Sequence, residues 1–309
     1  MKKFVRHILI FIALFASIFA GLNIYQASRP YEPKHFHKKY AELFNAKSSP
    51  DKVNGIIIGN STVAYSLVPS ILDATGVRYY NFGYGRAGLN FYEDWFEHIF
   101  SEYDQQVTHC IISVDRFFFS TNNGRVLEQD AEYMPLTALS DLMTADGLNA
   151  TSLFLNQFHA FKYRKKLFNT LFESKGAVYF QLDKYDRGYI PFNRPFDANN
   201  VRAQRNYFKL SEETQASFEN LLKNLQNAGI QVKMVMPPEY NFDSDKNSIL
   251  LNYLDHISQE MKVPFYNFNG VYAHESFLDV NNLSDSRHMN EKGSKLLSQL
   301  LVEAIKSNE

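Results

Sequence analysis

Five short apolar runs, separated by segments of helical period, restrict the fold of this chain more than any other feature. They are VNGIIIG (53–59), VRYYNFG (77–83), VTHCIISV (107–114), IQVKMVM (230–236) and VPFYNF (263–268). Runs of this length, rich in β-branched and aromatic residues, read as strands rather than buried helices. Near-continuous apolarity suits strands covered on both faces. Between and after them lie NFYEDWFEHIFSEY (90–103), SEETQASFENLLKNLQNAG (211–229), SILLNYLDHISQEM (248–261) and NEKGSKLLSQLLVEAIKS (290–307), all with helical apolar spacing. A shorter crossover, TVAYSLVPSILDAT, follows the first strand and is interrupted by Pro69. Ser211 suits an N-cap, with Glu212 and Glu213 at the positive end of the helix dipole and Gly229 as terminator.

Strands alternating with helices predict parallel βαβ crossovers. The expected fold class is therefore α/β: a flavodoxin-like three-layer sandwich with a central parallel sheet of about five strands. From 117 to 210 the alternation lapses. This stretch reads as an insertion of helix and loop at the strand ends, where ligand sites of open α/β sheets lie.

The N-terminus has its own character. MKKFVRH is basic, and ILIFIALFASIFAGLNIY (8–25) follows without a charge. That run is about as long as a short membrane-spanning helix requires. The basic flank predicts a cytoplasmic N-terminus and a body on the extracytoplasmic side. A cleaved signal segment is the competing reading, although cleavage after Ala20 would set Ile18 where a small residue is wanted. The expected division is an anchor or signal at 1–25, a stalk at 26–52 punctuated by Pro30, Pro33 and Pro50, and an α/β domain at 53–309 carrying the insertion.

Composition removes several classes. Hydrophobic residues make up 45% of 309, enough for a large core, and the net charge of −1 gives no bulk attraction to nucleic acid. The single cysteine, Cys110, excludes an intrachain disulfide and a Cys-rich zinc site. His35 and His37 stand among basic residues, a poor ligand set, so no metal and no cofactor are expected.

Two distant segments carry candidate chemistry. GNST (59–62) ends the first apolar run, so Ser61 stands where a strand hands over to a helix. A helix N-cap is the plainer alternative for this serine. In LSDSRHMNEKG (283–293), Asp285 and His288 are three apart, a spacing that sets a carboxylate beside an imidazole. A carboxylate on Nδ1 fixes the tautomer and leaves Nε2 free as a base. Asn290 suits the N-cap of the last helix. Serine early and Asp-x-x-His late, each after a strand, make a triad in a plausible order.

GNST together with DSRHMN resembles the SGNH (GDSL-type) hydrolase superfamily. The resemblance implies a nucleophile at Ser61, an orienting acid at Asp285 and a base at His288. Its second block is matched by YNFGYGRAG (80–88), which implies an oxyanion-binding backbone N–H beside that of Ser61. Gly85 is the choice, with Gly83 and Gly88 competing and the usual spacing pointing to Arg86. The chain departs from the pattern twice. Asn60 replaces the usual Asp, and Asp115-Arg116 stands where the family supplies an oxyanion-donating Asn. An ionised carboxylate cannot donate, so Arg116 or another group would substitute, or the chemistry is weaker.

The anchor is similar to a membrane-tethered branch that includes proteins of polysaccharide O-acetylation and D-alanyl transfer. That resemblance implies an esterase or O-acyltransferase on ester-linked acyl groups. The substrate would be an envelope polysaccharide or an acylated small molecule, with a multi-span membrane acyltransferase as a possible partner. A non-catalytic scaffold for such an acyltransferase is the alternative.

Overall fold

A computed structural model describes residues 2–28, 53–85, 87–98, 107–119, 186–196, 210–277 and 279–308. The stalk from 29 onward and most of the predicted insertion lie outside the described residues. Internal contacts divide the chain into two units, 1–34 with 127–181, and 35–126 with 182–309. The described part of the first unit is one helix, α1 (Lys2–Ser28). It holds a 23-residue stretch, Lys3–Tyr25, of mean hydropathy 2.3. At 1.5 Å per residue, α1 is long and apolar enough to cross a membrane.

The second unit is the α/β body. Its strands are β1 (Gly55–Ile58), β2 (Tyr79–Asn81), β3 (His109–Ser113), β4 (Gln231–Met236) and β5 (Phe265–Asn267). They form one five-stranded, all-parallel sheet in the order β2-β1-β3-β4-β5. Gly55 of β1 pairs with Tyr79 on one side and His109 on the other. The chain reverses its direction of travel across the sheet at β1 and β3. Open α/β sheets place their clefts at the carboxyl ends of strands at such a switch point.

Among the described residues six further α-helices follow: α2 (Ser61–Ala64), α3 (Pro69–Leu72), α4 (Leu89–His98), α5 (Glu212–Asn227), α6 (Ser248–Glu260) and α7 (Glu291–Asn308). Side chains alternate across a strand, so the sheet has two cores. One joins Ile57, Ile111 and Val235 to Leu297, Leu301 and Ile305 of α7. The other is aromatic: Tyr92 stacks on Phe118, Phe118 meets Phe218 edge-on, and Tyr253 tilts against Phe218. Those rings bring α4, α5 and α6 to the opposite face. The three-layer α/β class read from the sequence is the class observed.

Three details differ from the sequence reading. The crossover after β1 is not one helix but two single turns. Val68 precedes Pro69, and a residue in that position is pushed out of the helical region; its φ of −98° and ψ of 108° are extended. Asn81 then caps the break, donating from Nδ2 to the carbonyls of Val63 and Leu67 at 2.9 and 2.8 Å. Second, α1 runs three residues past the predicted anchor. Third, residues 186–196, read as insertion, belong to the body. Arg187 accepts the Asn81 N–H at 2.9 Å through its carbonyl, and Tyr189 and Ile190 are buried. A bidentate pair from Arg187 to Asp73, at 2.8 and 2.6 Å, fastens this segment beside α3.

The turn after β1 depends on Gly59, whose φ of 145° favours glycine and whose added Cβ would lie 2.6 Å from Ser113 Cβ. Gly76 also has a positive φ, 82°, but a Cβ there would meet nothing within 4 Å. Gly76→Ala is predicted to cost about 1 kcal/mol from backbone strain alone. Gly59→Ala adds a clash with β3 and is predicted to cost about 1–3 kcal/mol more. Urea midpoints of the two variants check this; equal losses would contradict the packing described for Gly59.

Candidate active site

Ser61 is the first residue of α2, immediately past the Gly59-Asn60 turn. Its Oγ lies 2.9 Å from His288 Nε2, across 227 residues of sequence. His288 Nδ1 lies 2.7 Å from Asp285 Oδ2. Asp285 Oδ1 accepts the backbone N–H groups of Arg287 and His288, both at 2.9 Å. One carboxylate therefore fixes its own turn with one oxygen and the imidazole with the other. Burial opposes ionisation of Asp285. The His288 hydrogen bond and charge, with the two N–H groups, outweigh it and lower the carboxyl to about 2.

The Asp-x-x-His segment is held from both ends. Ser284 N–H donates to His288 O at 2.8 Å, and Leu283 bridges Met289 in antiparallel fashion. Asn290 caps α7, accepting the Gly293 N–H at 3.1 Å. α7 is tied in turn to the chain just after Ser61: Ser294 Oγ donates to Tyr65 O at 2.6 Å, and Ser298 Oγ accepts the Val68 N–H at 2.9 Å. These two buried serines set the segment carrying His288 beside the segment carrying Ser61.

Sequence reasoning did not single out the walls of the imidazole. Tyr65 and Phe192 stack with centroids 4.8 Å apart, and both meet the His288 ring edge-on at 5.3 and 5.2 Å. Such edge contacts fix ring orientation. Phe192 stands on the re-entrant segment 186–196, so no local pattern could have tied it to His288. A hydrogen bond from Ser284 Oγ to the Phe192 carbonyl joins the two segments.

Asp115 follows β3 and faces the Gly59-Asn60 turn and Thr62. Its Oδ1 accepts from Asn60 Nδ2 at 2.7 Å and from the N–H groups of Phe117 and Phe118 at 2.8 and 2.9 Å. Its Oδ2 accepts from Thr62 Oγ1 at 3.0 Å. A carboxylate offers about four acceptor positions; three of these donors share Oδ1, and Oδ2 holds Thr62. Asp115 is thus an acceptor that grips the residues on either side of Ser61, not a donor to an oxyanion. Asn60 is committed similarly, because its Oδ1 accepts the Thr62 N–H at 2.8 Å. Arg116 Nη2 pairs with Glu239 Oε1 at 2.9 Å, while its Nε is buried without a hydrogen-bond partner among the described residues. Arg86 lies outside the described residues.

The backbone offers donors instead. Among the described residues nothing accepts the N–H of Ser61 or of Gly85. The turn carrying Gly85 runs alongside β1 past its end, with Phe82 N–H on Ile57 O at 2.7 Å and Tyr84 N–H on Gly59 O at 2.8 Å. Gly83 gives its N–H to Asn81 Oδ1 at 3.0 Å, and a Cβ there would lie 2.7 Å from Ala64 N. Gly83 is therefore the close-packing glycine, whereas a Cβ added at Gly85 would meet nothing within 4 Å. α2 is a single turn, so its dipole adds little at Ser61. No group of His, Cys, Asp and Glu among the described residues could hold a metal ion.

No family model matches the chain, and no curated protein does. Among solved structures it is similar to a lipase/acylhydrolase from Enterococcus faecalis, at 12% identity over 83% of this chain and 97% of that one, TM-score 0.41. It is similar also to a GDSL-like lipase from Bacteroides thetaiotaomicron, at 10% identity over 89% and 100%, TM-score 0.43. A psychrotrophic esterase from Pseudoalteromonas sp. follows at 12% identity over 82% and 97%, TM-score 0.39. Likeness this distant says nothing of chemistry, which rests on the side chains described above.

Two measurements check this geometry. Asn60→Asp sets a second carboxylate against Asp115 and is predicted to cost about 1–3 kcal/mol of stability at neutral pH. Adding Asp115→Asn returns an amide–carboxylate pair and is predicted to recover most of that loss. Additive losses in the double variant would contradict the described contact. Asp285 has a folded value below its ordinary 3.8. Its contribution is complete above about pH 4 and is lost as pH falls toward about 2. Asp285→Asn is therefore predicted to flatten the fall in urea midpoint across that window, whereas an unchanged slope would oppose the assignment.

Proposed function

We propose that the chain is a serine esterase or O-acyltransferase of the SGNH kind, with Ser61 as nucleophile, His288 as base and Asp285 as orienting acid. The observation that carries the proposal is the unbroken relay from Ser61 Oγ to His288 Nε2 at 2.9 Å and from His288 Nδ1 to Asp285 at 2.7 Å. A serine hydroxyl is a weak nucleophile until a base takes its proton in the attacking step.

The mechanism follows from these atoms. Ser61 Oγ attacks the ester carbonyl carbon while its proton passes to His288 Nε2. Asp285 holds Nδ1–H and supports the imidazolium. The carbonyl oxygen becomes an oxyanion that the N–H groups of Ser61 and Gly85 receive. Collapse breaks the bond to the leaving alcohol, which takes the proton back from His288. The Ser61 acyl ester is then attacked by water, giving hydrolysis, or by a second hydroxyl, giving transfer, and His288 again carries the proton.

In this reading α1 tethers the body to a membrane, and the basic residues before the apolar stretch favour an extracytoplasmic body. A tethered site of this kind suits acyl esters on envelope polysaccharide, attached or removed beside a multi-span acyltransferase. The engagement of Asp115 favours a second reading, a binding partner without catalysis. With no side-chain oxyanion donor there, the chain would lack a contribution worth about a hundred- to a thousandfold in turnover.

Turnover of 4-nitrophenyl acetate by the detergent-solubilised chain separates the two. Ser61→Ala and His288→Ala are each predicted to lower kcat by about a thousandfold or more, with the double variant no worse than either single one. Turnover that survives Ser61→Ala at the wild-type rate would remove the catalytic reading.

A further inference from the structure

A small cleft opens beside Thr62, the residue after the nucleophile, and is lined also by Asp115, Arg116, Glu239, Asn269 and Arg287. Its lining carries two guanidiniums and two carboxylates, but only one of each is joined in an ion pair. Arg116 is paired with Glu239, and both are largely buried. Asp115 accepts from four neutral donors, three on Oδ1 and one on Oδ2, and forms no ion pair among the described residues. Asp285 is committed to His288 and to two N–H groups. Arg287, half-buried and adjacent to His288, has no carboxylate partner among the described residues.

Its guanidinium is nevertheless held in place. The Cζ atom lies 3.9 Å from the centre of the Phe117 ring, which also carries Arg116 at 4.8 Å. Phe117 is partly exposed and is fixed through its N–H to Asp115 Oδ1 at 2.8 Å. The Arg287 backbone is fixed by Asp285 Oδ1 at 2.9 Å. Stacking removes rotamer freedom from a long side chain before any ligand arrives, and a guanidinium fork matches a carboxylate or phosphate. A pinned cation with unused donors, beside the triad, is a receptor for an oxyanion group.

We propose that Arg287, stacked on Phe117, binds a carboxylate or phosphate carried by the ester substrate, so that the preferred substrates are anionic esters. The inference rests on the esterase reading only for why the anion should lie next to Ser61. Arg194 is the contrasting case: it also lies over a ring, Phe192, at 4.8 Å, but is exposed and stands outside the lining of this cleft.

Calorimetry on the full-length Ser61→Ala chain in detergent tests binding without turnover. The carboxylate arm compares an O-acetylated oligogalacturonide with its uncharged methyl ester. The phosphate arm compares acetylated glycerol phosphate with acetylated glycerol. In at least one arm the charged ligand is expected to bind roughly ten- to a hundredfold more tightly, the range for hydrogen bonds to a charged group. Arg287→Gln should bring that ratio close to one, and Arg194→Gln should leave it in place. Phe117→Leu retains the cation but frees it, and should lower the ratio several-fold even if Arg287→Gln does not fold. Equal binding of charged and neutral ligands in both arms overturns the inference. So does a preference that survives Arg287→Gln or that disappears with Arg194→Gln. Labelling of Ser61 by a fluorophosphonate reports on the esterase reading separately. A labelled serine without charge preference refutes this inference alone, and charge preference without labelling refutes the esterase reading alone.

Discussion

The carboxylate of Asp115 links the ends of β1 and β3 at the point where the sheet reverses its winding. It binds Asn60 and Thr62, which flank Ser61, and two N–H groups of its own turn. Everything at the site depends on this grip. The Gly59-Asn60 turn must leave β1 at a sharp angle, and α2 is too short to hold itself by its own hydrogen bonds. A single acceptor with four donors supplies that rigidity, in surroundings where an unsatisfied polar group is expensive. The arrangement also explains the unusual residue pair. With a carboxylate at 115, an amide at 60 is the complementary choice, and a second carboxylate would be repelled.

From that fixed point the rest of the site is assembled by long-range contacts. Ser294 and Ser298 of α7 bind the chain between α2 and α3, which carries the Asp-x-x-His turn to Ser61. Arg187 and Asp73 fasten the returning segment 186–196, so that Phe192 and Tyr65 close on the imidazole. Catalytic groups need positions within a few tenths of an ångström. Here the precision comes from buried hydroxyls and a carboxylate, while the apolar cores supply the bulk of the cohesion.

Much of this was legible in the sequence, and the reasons are physical. Apolar runs of strand length gave the five described strands, because strands buried on both faces are near-continuously apolar. Ser211 and Asn290 were readable as caps because capping is local. Ser61, Asp285 and His288 stood out because small polar residues are unusual at the end of a buried strand, and a three-residue spacing sets side chains together. What was hidden depends on distant partners. The role of Asp115 as an acceptor needs Asn60 and Thr62 beside it, more than fifty residues away. Phe192 and Arg187 lie in a stretch without periodicity, so nothing local marked them as part of the body. The split of the first crossover was half-visible: Pro69 announced a break, but the Asn81 cap that completes it comes from β2.

The central claim is that Ser61 is made nucleophilic by His288. Peptide mass mapping after exposure to a fluorophosphonate tests it directly, since that reagent reports the activated oxygen whatever the natural ester is. The account predicts a phosphonyl adduct on the peptide containing Ser61, abolished in folded His288→Ala protein. An unmodified Ser61 peptide in folded wild-type protein, or an adduct that forms as fast without His288, would contradict it.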